Sequence, residues 1–267
     1  MNHSDLLRTL DHPRVNANIF FPRRDTGMTS PAGSEDLRIE VAPGISVAAR
    51  YHPRKGDATD HAAPMLLHFH GNGEIVADYD NLAPLFHAAG ASLISADYRG
   101  YGQSDGEPTA RSLLDDAHKV LDFVMGMRAE RGITGPLVIM GRSLGSAPAI
   151  ELAATRSDDI RGLVLESGFA STPDLLALFG ITLDSLGVLP EGLRDNEDKM
   201  AEVRCPVLLL HAERDQLIEP WHARRNFERT TVAKKQLVMI PNADHNTIMM
   251  FGGKAYWGGL AAFIAGI

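Results

Sequence analysis

GPLVIMGRSLGSAPAIELAA, residues 135–154, holds a strand, a sharp turn and a helix in one short stretch. Leu137, Val138, Ile139 and Met140 form an unbroken apolar run, which suits a central parallel strand covered on both faces. Gly141-Arg142-Ser143-Leu144-Gly145 follows without a spacer, and Ala147, Ala149, Ile150, Leu152 and Ala153 continue as a helical run. A serine with glycine two residues away on each side has a mechanical meaning. The strand turns into the helix so tightly that the serine is strained and its hydroxyl stands clear. Only glycine-sized neighbours let the two backbones come that close. The new helix also turns its free amide donors towards the serine.

The pattern G-x-S-x-G occurs twice, because Gly102-Gln103-Ser104-Asp105-Gly106 fits it as well. Context separates the two matches. No strand runs directly into Ser104, and Glu107-Pro108 follows it instead of a helix. Ser104 therefore reads as part of a glycine-rich loop and Ser143 as the nucleophile.

The chain has 267 residues, 44% of them hydrophobic, enough for one large α/β core. Acidic residues outnumber basic ones, 34 to 26, and no dense basic run occurs, so nucleic acid is not an expected partner. The single cysteine, Cys205, excludes an internal disulfide and fits a reducing compartment; a buried, inert thiol is expected there. The N-terminus lacks the apolar core of a signal peptide, and no run of 18 apolar residues spans a membrane. The expected location is cytoplasmic. Ile19-Phe20-Phe21 is expected to anchor a leader, residues 1–35, onto its own domain.

Leu37 to Val41 and Ile45 to Tyr51 alternate around Pro43-Gly44, an antiparallel hairpin. A charged turn, residues 52–64, precedes a buried strand from Met65 to His70. Residues 75–89 look helical, Ala91 to Ala96 is a strand, and Thr109 caps a helix to about Arg131. Further strands are expected at Ile160 to Leu165, Val207 to His211 and Gln236 to Ile240, with helices over Glu219 to Arg229 and through Tyr256 to Ile264. This alternation implies an α/β domain, residues 36–267, built on a mostly parallel, twisted sheet with helices on both faces. Residues 169–203 interrupt it. Leu175 to Leu183 look like one amphipathic helix, and the insertion reads as a short cap that shapes a pocket. Ligands of such sheets bind beyond the carboxyl ends of the strands.

A serine hydroxyl needs a base, and the base needs an orienting carboxylate. HAERD, residues 211–215, and ADH, residues 243–245, each follow a strand. His245 alone among the eleven histidines occupies a short polar loop after the last strand. Asp215 is the preferred carboxylate, with Glu213 and Glu219 as rivals. His211, inside a strand, reads as a packed or hydrogen-bonded histidine. The oxyanion hole calls for two amides: Leu144 gives one, and Asn72 the other, with Gly73 as its rival. His68 and His70 share a strand face, but no carboxylate stands at ligand spacing, so no metal is expected. Arg142 suits either an anionic substrate group or a structural ion pair, and Tyr98 and Arg99 either line or pack the loop near the pocket.

Together HGNG (His70 to Gly73), DYRGYGQSDG (Asp97 to Gly106), GRSLG, HAERD and ADHN resemble the α/β-hydrolase superfamily, and within it a group of small serine hydrolases. The resemblance covers roughly residues 37–265. It implies cofactor-free carboxylesterase, lipase or thioesterase activity on a small-molecule ester or thioester, and a loop role for Ser104. Ser143 argues against haloalkane dehalogenases and epoxide hydrolases, which carry aspartate there. Perhydrolases and cofactor-free haloperoxidases share the same triad, and a non-catalytic binding module of this fold is the other alternative. Neither the acyl group nor the oligomeric state is legible.

Overall fold

The computed structural model describes residues 4–27, 29–54, 60–189 and 191–267. Part of the expected charged turn, residues 55–59, and the first three residues of the leader lie outside them.

In chain order the elements are β1 (Ser4–Asp5), α1 (Leu6–Thr9), α2 (Pro13–Ile19), β2 (Glu35–Ala42), β3 (Ile45–His52), β4 (Met65–Phe69), α3 (Ala83–Ala88), β5 (Ser92–Ala96), α4 (Ala110–Glu130), β6 (Leu137–Arg142) and α5 (Ser146–Thr155). They continue with β7 (Gly162–Glu166), α6 (Thr172–Ala177), β8 (Leu193–Arg194), α7 (Asn196–Met200), β9 (Val207–Ala212), α8 (Pro220–Arg229), β10 (Lys235–Ile240) and α9 (Ile248–Ala265). Eight strands form one sheet in the order β10-β9-β7-β6-β4-β5-β3-β2. The hairpin β2–β3 and the pair β3–β5 are antiparallel, and the other pairs are parallel.

The inner strands β4, β5, β6, β7 and β9 are buried along their whole length because both faces are covered. Their two-residue period sorts the side chains. Met65, Leu67, Ile139, Leu163 and Leu209 join a core with α4 and α5. Leu66, Val138, Met140, Val164 and Leu210 join a second core with Phe86 of α3 and Tyr256 and Leu260 of α9. By the same count, Arg142 and Glu166, the last residues of β6 and β7, face the second layer. They are register partners across the two strands.

Some local expectations change. The helix expected over residues 75–89 is two pieces: a 3-10 turn, Val76–Tyr79, and then α3. Pro84 stands in the first turn of α3, where its missing N–H costs nothing, and it prevents one continuous helix. The amphipathic run of residues 175–183 gives only the short α6, because Gly180 turns back at φ +66°. Thr182 and Ser185 then cap each other and start a new 3-10 turn, Asp184–Leu186.

The leader is not a loose tail. Leu6, Leu7, Leu10, Val15, Ile19 and Phe20 are buried in the α4–α5 core. Strand β1 pairs with β8 of the insertion. Lys199 of α7, 1% exposed, pairs with Asp5 and with Glu151 of α5, while Arg8 reaches the same Glu151 at 3.1 Å. Burial pushes the Glu151 carboxyl up, but the His118 hydrogen bond and the Lys199 and Arg8 charges outweigh it and hold it well below the carboxylate range. Leader, α5 and insertion are therefore tied at one buried charge cluster.

By length and composition, α9 is long and apolar enough to cross a membrane. Tyr256, Leu260, Phe263 and Ile264 are instead buried against the sheet, and Gly253 interrupts the helix with non-helical angles.

Candidate active site

β6 ends at Arg142, and Ser143 turns the chain into α5 with φ +50°, one of three non-glycine residues in the left-handed region among those described. A side chain at Gly141 would stand 2.2 Å from the Gly145 carbonyl oxygen, and one at Gly145 would stand 2.1 Å from that of Phe69. Both distances are below any real contact, so the two glycines permit the turn and the strain falls on the serine. The turn is held by the Ser146 hydroxyl, which donates to the Ser143 carbonyl at 2.7 Å.

His245 lies in the loop between β10 and α9. Its Nε2 is 2.9 Å from the Ser143 Oγ, and its Nδ1 is 2.8 Å from the Asp215 Oδ2. Asp215 is 3% exposed, and its other oxygen accepts the amides of Leu217 at 3.0 Å and Ile218 at 2.8 Å. Burial raises the Asp215 carboxyl, but the His245 hydrogen bond and charge and the Ile218 amide bring it net below its ordinary value. The rivals are elsewhere: Glu213 and Glu219 are exposed. His211 is buried in β9, and its Nε2 donates to the Ile218 carbonyl at 2.8 Å, bracing the Asp215 loop. Burial lowers its pKa, which keeps it neutral. The loops that carry Asp215 and His245 are also tied to each other, by the Arg214 amide to the Ala243 carbonyl at 2.9 Å.

Leu144 sits in the 3-10 turn Ser143–Gly145 that opens α5, so its amide stands at the amino end of a helix. Asn72 lies opposite, after β4. Its side chain is occupied: Oδ1 accepts from the Phe21 amide at 2.9 Å and the Tyr101 hydroxyl at 2.7 Å, and Nδ2 donates to the Ile19 carbonyl at 2.7 Å. The side chain is thus unavailable to a ligand, and the donor expected of this residue is its main-chain amide. The side chain does a job the sequence did not disclose, fastening the leader across the oxyanion turn. Phe21 of the leader meets Phe179 of the insertion with ring centres 6.1 Å apart.

His70 braces this turn from below. It is fully buried between the Gly71 carbonyl at 2.8 Å and the Asp97 carboxylate at 3.0 Å, and the Tyr98 hydroxyl donates to its carbonyl at 2.6 Å. His68 contacts the Ser95 hydroxyl at 3.1 Å and packs its ring, tilted by 51°, against Tyr79. No cluster of three metal-ligating side chains occurs among the described residues. Arg99 is paired with Asp116 at 2.6 Å, away from the triad. Cys205 is buried, and burial pushes its thiol up to about 12.

Arg142 meets carboxylates of its own chain. Its guanidinium reaches Glu74 at 2.8 Å and Glu166 at 3.0 Å, and donates to the His245 carbonyl at 2.9 Å. Burial lowers its pKa, but the Glu74 and Glu166 charges outweigh this and keep it charged. Sequence reasoning missed both glutamates. One signal was present: Glu166 ends an otherwise apolar strand, and a carboxylate there needs a buried partner.

The profile of the family described as serine aminopeptidase, S33, matches residues 60–183 and 170–249. The chain is similar to the protein bem46 of Schizosaccharomyces pombe, 30% identical over 233 residues covering 85% of this chain and 76% of that protein. It is also similar to the α/β-hydrolase domain-containing protein WAV2 of Arabidopsis thaliana, 28% identical over 84% of this chain and 76% of that one. Among solved structures, the Pyrococcus furiosus esterase Pf2001 superposes with a TM-score of 0.72 at 17% identity, over 91% of this chain and 98% of its own. Est1E from Butyrivibrio proteoclasticus follows at 0.68 and 16%, over 86% and 98%. At such identities the likeness is one of fold.

Proposed function

The chain belongs to the serine aminopeptidase S33 family of the α/β-hydrolase superfamily, and from that premise we propose that it is a serine hydrolase acting on a carboxylic ester or thioester. One observation carries the proposal: a strained serine at a strand–helix elbow, 2.9 Å from a histidine that is itself 2.8 Å from a buried carboxylate. Serine, histidine and carboxylate in this chain of contacts form an activated nucleophile.

Asp215 holds a proton on Nδ1 of His245, so Nε2 is free to accept. As the Ser143 oxygen attacks the acyl carbon, its proton passes to that Nε2. The carbonyl oxygen gains the charge, and the main-chain amides of Asn72 and Leu144 stabilise it. The imidazolium then returns the proton to the leaving oxygen or sulfur. Water, deprotonated by His245, releases the acyl group and restores Ser143. Each step uses groups of this chain and water alone. The insertion of residues 169–203, joined to the leader, forms a small cap beside the site. Its short apolar elements suit a small or medium acyl group.

Turnover of a panel of p-nitrophenyl esters and acyl thioesters tests the proposal. Wild type hydrolyses the short members, and Ser143→Ala abolishes this. Complete inactivity of folded wild type on both series would favour a non-catalytic binding module.

A further inference from the structure

Arg142 ends β6, directly before Ser143, and the period of the strand turns it to the α9 side of the sheet. Its side chain is 8% exposed, and every edge of the guanidinium is engaged. Nη1 faces Glu74, Nε faces Glu166, and Nη2 donates to the His245 carbonyl, with the Asn246 Oδ1 at 3.5 Å. The partners are themselves fixed. The second oxygen of Glu74 accepts the Gly71 amide and the Tyr79 hydroxyl, both at 2.7 Å. The second oxygen of Glu166 accepts the Tyr256 hydroxyl of α9. Gly71 is glycine for a matching reason: a side chain there would stand 2.6 Å from Nη1.

We infer that Arg142 is a positioning residue, whose guanidinium holds His245 on line with Ser143 by joining the nucleophile strand, the base loop and the oxyanion turn. The inference rests on the hydrolase proposal above. A planar guanidinium presents a wide, rigid fork whose edges meet all three partners, whereas a lysine ammonium is a compact point charge on a flexible stem. Its charge is already met by two carboxylates of its own chain, Glu74 at 2.8 Å and Glu166 at 3.0 Å, which favours the structural ion pair over an anionic substrate group. A displacement of about 1 Å in the base loop is enough to cost on the order of 100-fold in rate.

A cavity of about 430 Å³ flanks the network, lined by Glu74, Tyr79, Arg142, Glu166, Met249 and Trp257 among others. Neither Ser143 nor His245 lines it, and Met250, 71% exposed, stands at its edge. A small cation can therefore reach the place of Arg142 without crossing the catalytic line.

That access supplies the test. Arg142→Ala is assayed on a p-nitrophenyl ester with and without millimolar guanidinium chloride, and with urea as a neutral control of similar shape. The expected result is a fall in kcat of about 100-fold, KM within about 3-fold of wild type, and recovery of at least 10-fold with guanidinium but not urea. Arg142→Lys, which retains the charge, carries the test where the alanine variant does not fold; about 10-fold loss is expected of it. Wild-type kcat in a folded variant would overturn the inference. So would a loss confined to KM, or a loss of kcat that guanidinium leaves unmoved. These outcomes leave the hydrolase proposal standing, because wild type still turns over and Ser143→Ala does not. An inactive wild type would instead remove that proposal and this inference with it.

Discussion

The chain carries G-x-S-x-G at two places, and the two copies distribute strain in opposite ways. At residues 141–145 the serine itself has φ +50°, and its glycines are there for close approach, with neighbouring carbonyl oxygens about 2 Å from where a side chain would begin. At residues 102–106 the glycines take the left-handed angles, +50° and +71°, and the serine does not. Ser143 consequently presents its hydroxyl to His245. Ser104, 1% exposed, turns its hydroxyl inward, where it accepts the Ala48 amide at 2.8 Å. Its carbonyl accepts Arg24 at 2.6 Å, and the Asp105 carboxylate accepts the Ser46 amide at 3.0 Å. The second copy is thus a clasp between the loop after β5 and strand β3. It also shelters Asp97, which supports His70 beneath the oxyanion turn. The same five-letter pattern places its serine hydroxyl against a histidine only at the copy that a strand enters and a helix leaves.

The largest effect is expected at the first copy. Ser143→Ala and His245→Ala should each lower kcat by about 10⁴- to 10⁶-fold, measured on a p-nitrophenyl ester, with Asp215→Asn at about 10³- to 10⁴-fold. Activity retained in any of these would break the comparison.

The next effect separates the glycines. Gly145→Ala should cost about 3 kcal/mol, the upper end for an overpacked core site, because the obstacle is the backbone of Phe69. Gly106→Ala meets only ordinary contacts at 3.4 Å, and its penalty is the positive φ, about 1–2 kcal/mol. Chemical denaturation of the two variants checks the ranking. Equal losses would show that the elbow is no tighter than the loop.

The smallest effect on turnover is expected from Ser104→Ala. It leaves the Ala48 amide without its partner, which costs about 1–3 kcal/mol of stability. For a chain of this size that lowers Tm by about 2–4 °C per kcal/mol. Activity should stay within about 2-fold below the melting range. A large loss of kcat with unchanged Tm would give this serine a chemical role.

The comparison also indicates what a sequence discloses. The expected mostly parallel sheet with helices on both faces is the fold observed, because apolar strands alternating with amphipathic helices leave few other ways to bury both faces. Ser143, Asp215 and His245 stand out since each is a polar residue in the loop or turn that follows a strand of the sheet. Contacts that depend on which way a side chain turns were not legible. Asn72 was chosen for its amide, while its side chain fastens the leader to the oxyanion turn. Ile19 and Phe20 anchor the leader as expected, but Leu6, Leu10 and Val15, spaced for short helices, belong to the main core as well. The helix expected across residues 175–183 fails at Gly180, where the left-handed angle outweighs the apolar spacing. The Arg142 network was hidden because Glu74, Glu166 and Tyr256 come together only through the sheet register and the packing of α9.

The most direct test is to locate a covalent mark. Wild type, Ser143→Ala and Ser104→Ala are treated with a fluorophosphonate probe, and the adduct is mapped by peptide mass spectrometry. The account predicts one adduct, on Ser143, in wild type and Ser104→Ala alike, and none in Ser143→Ala. An adduct on Ser104, or undiminished labelling of Ser143→Ala, would contradict it.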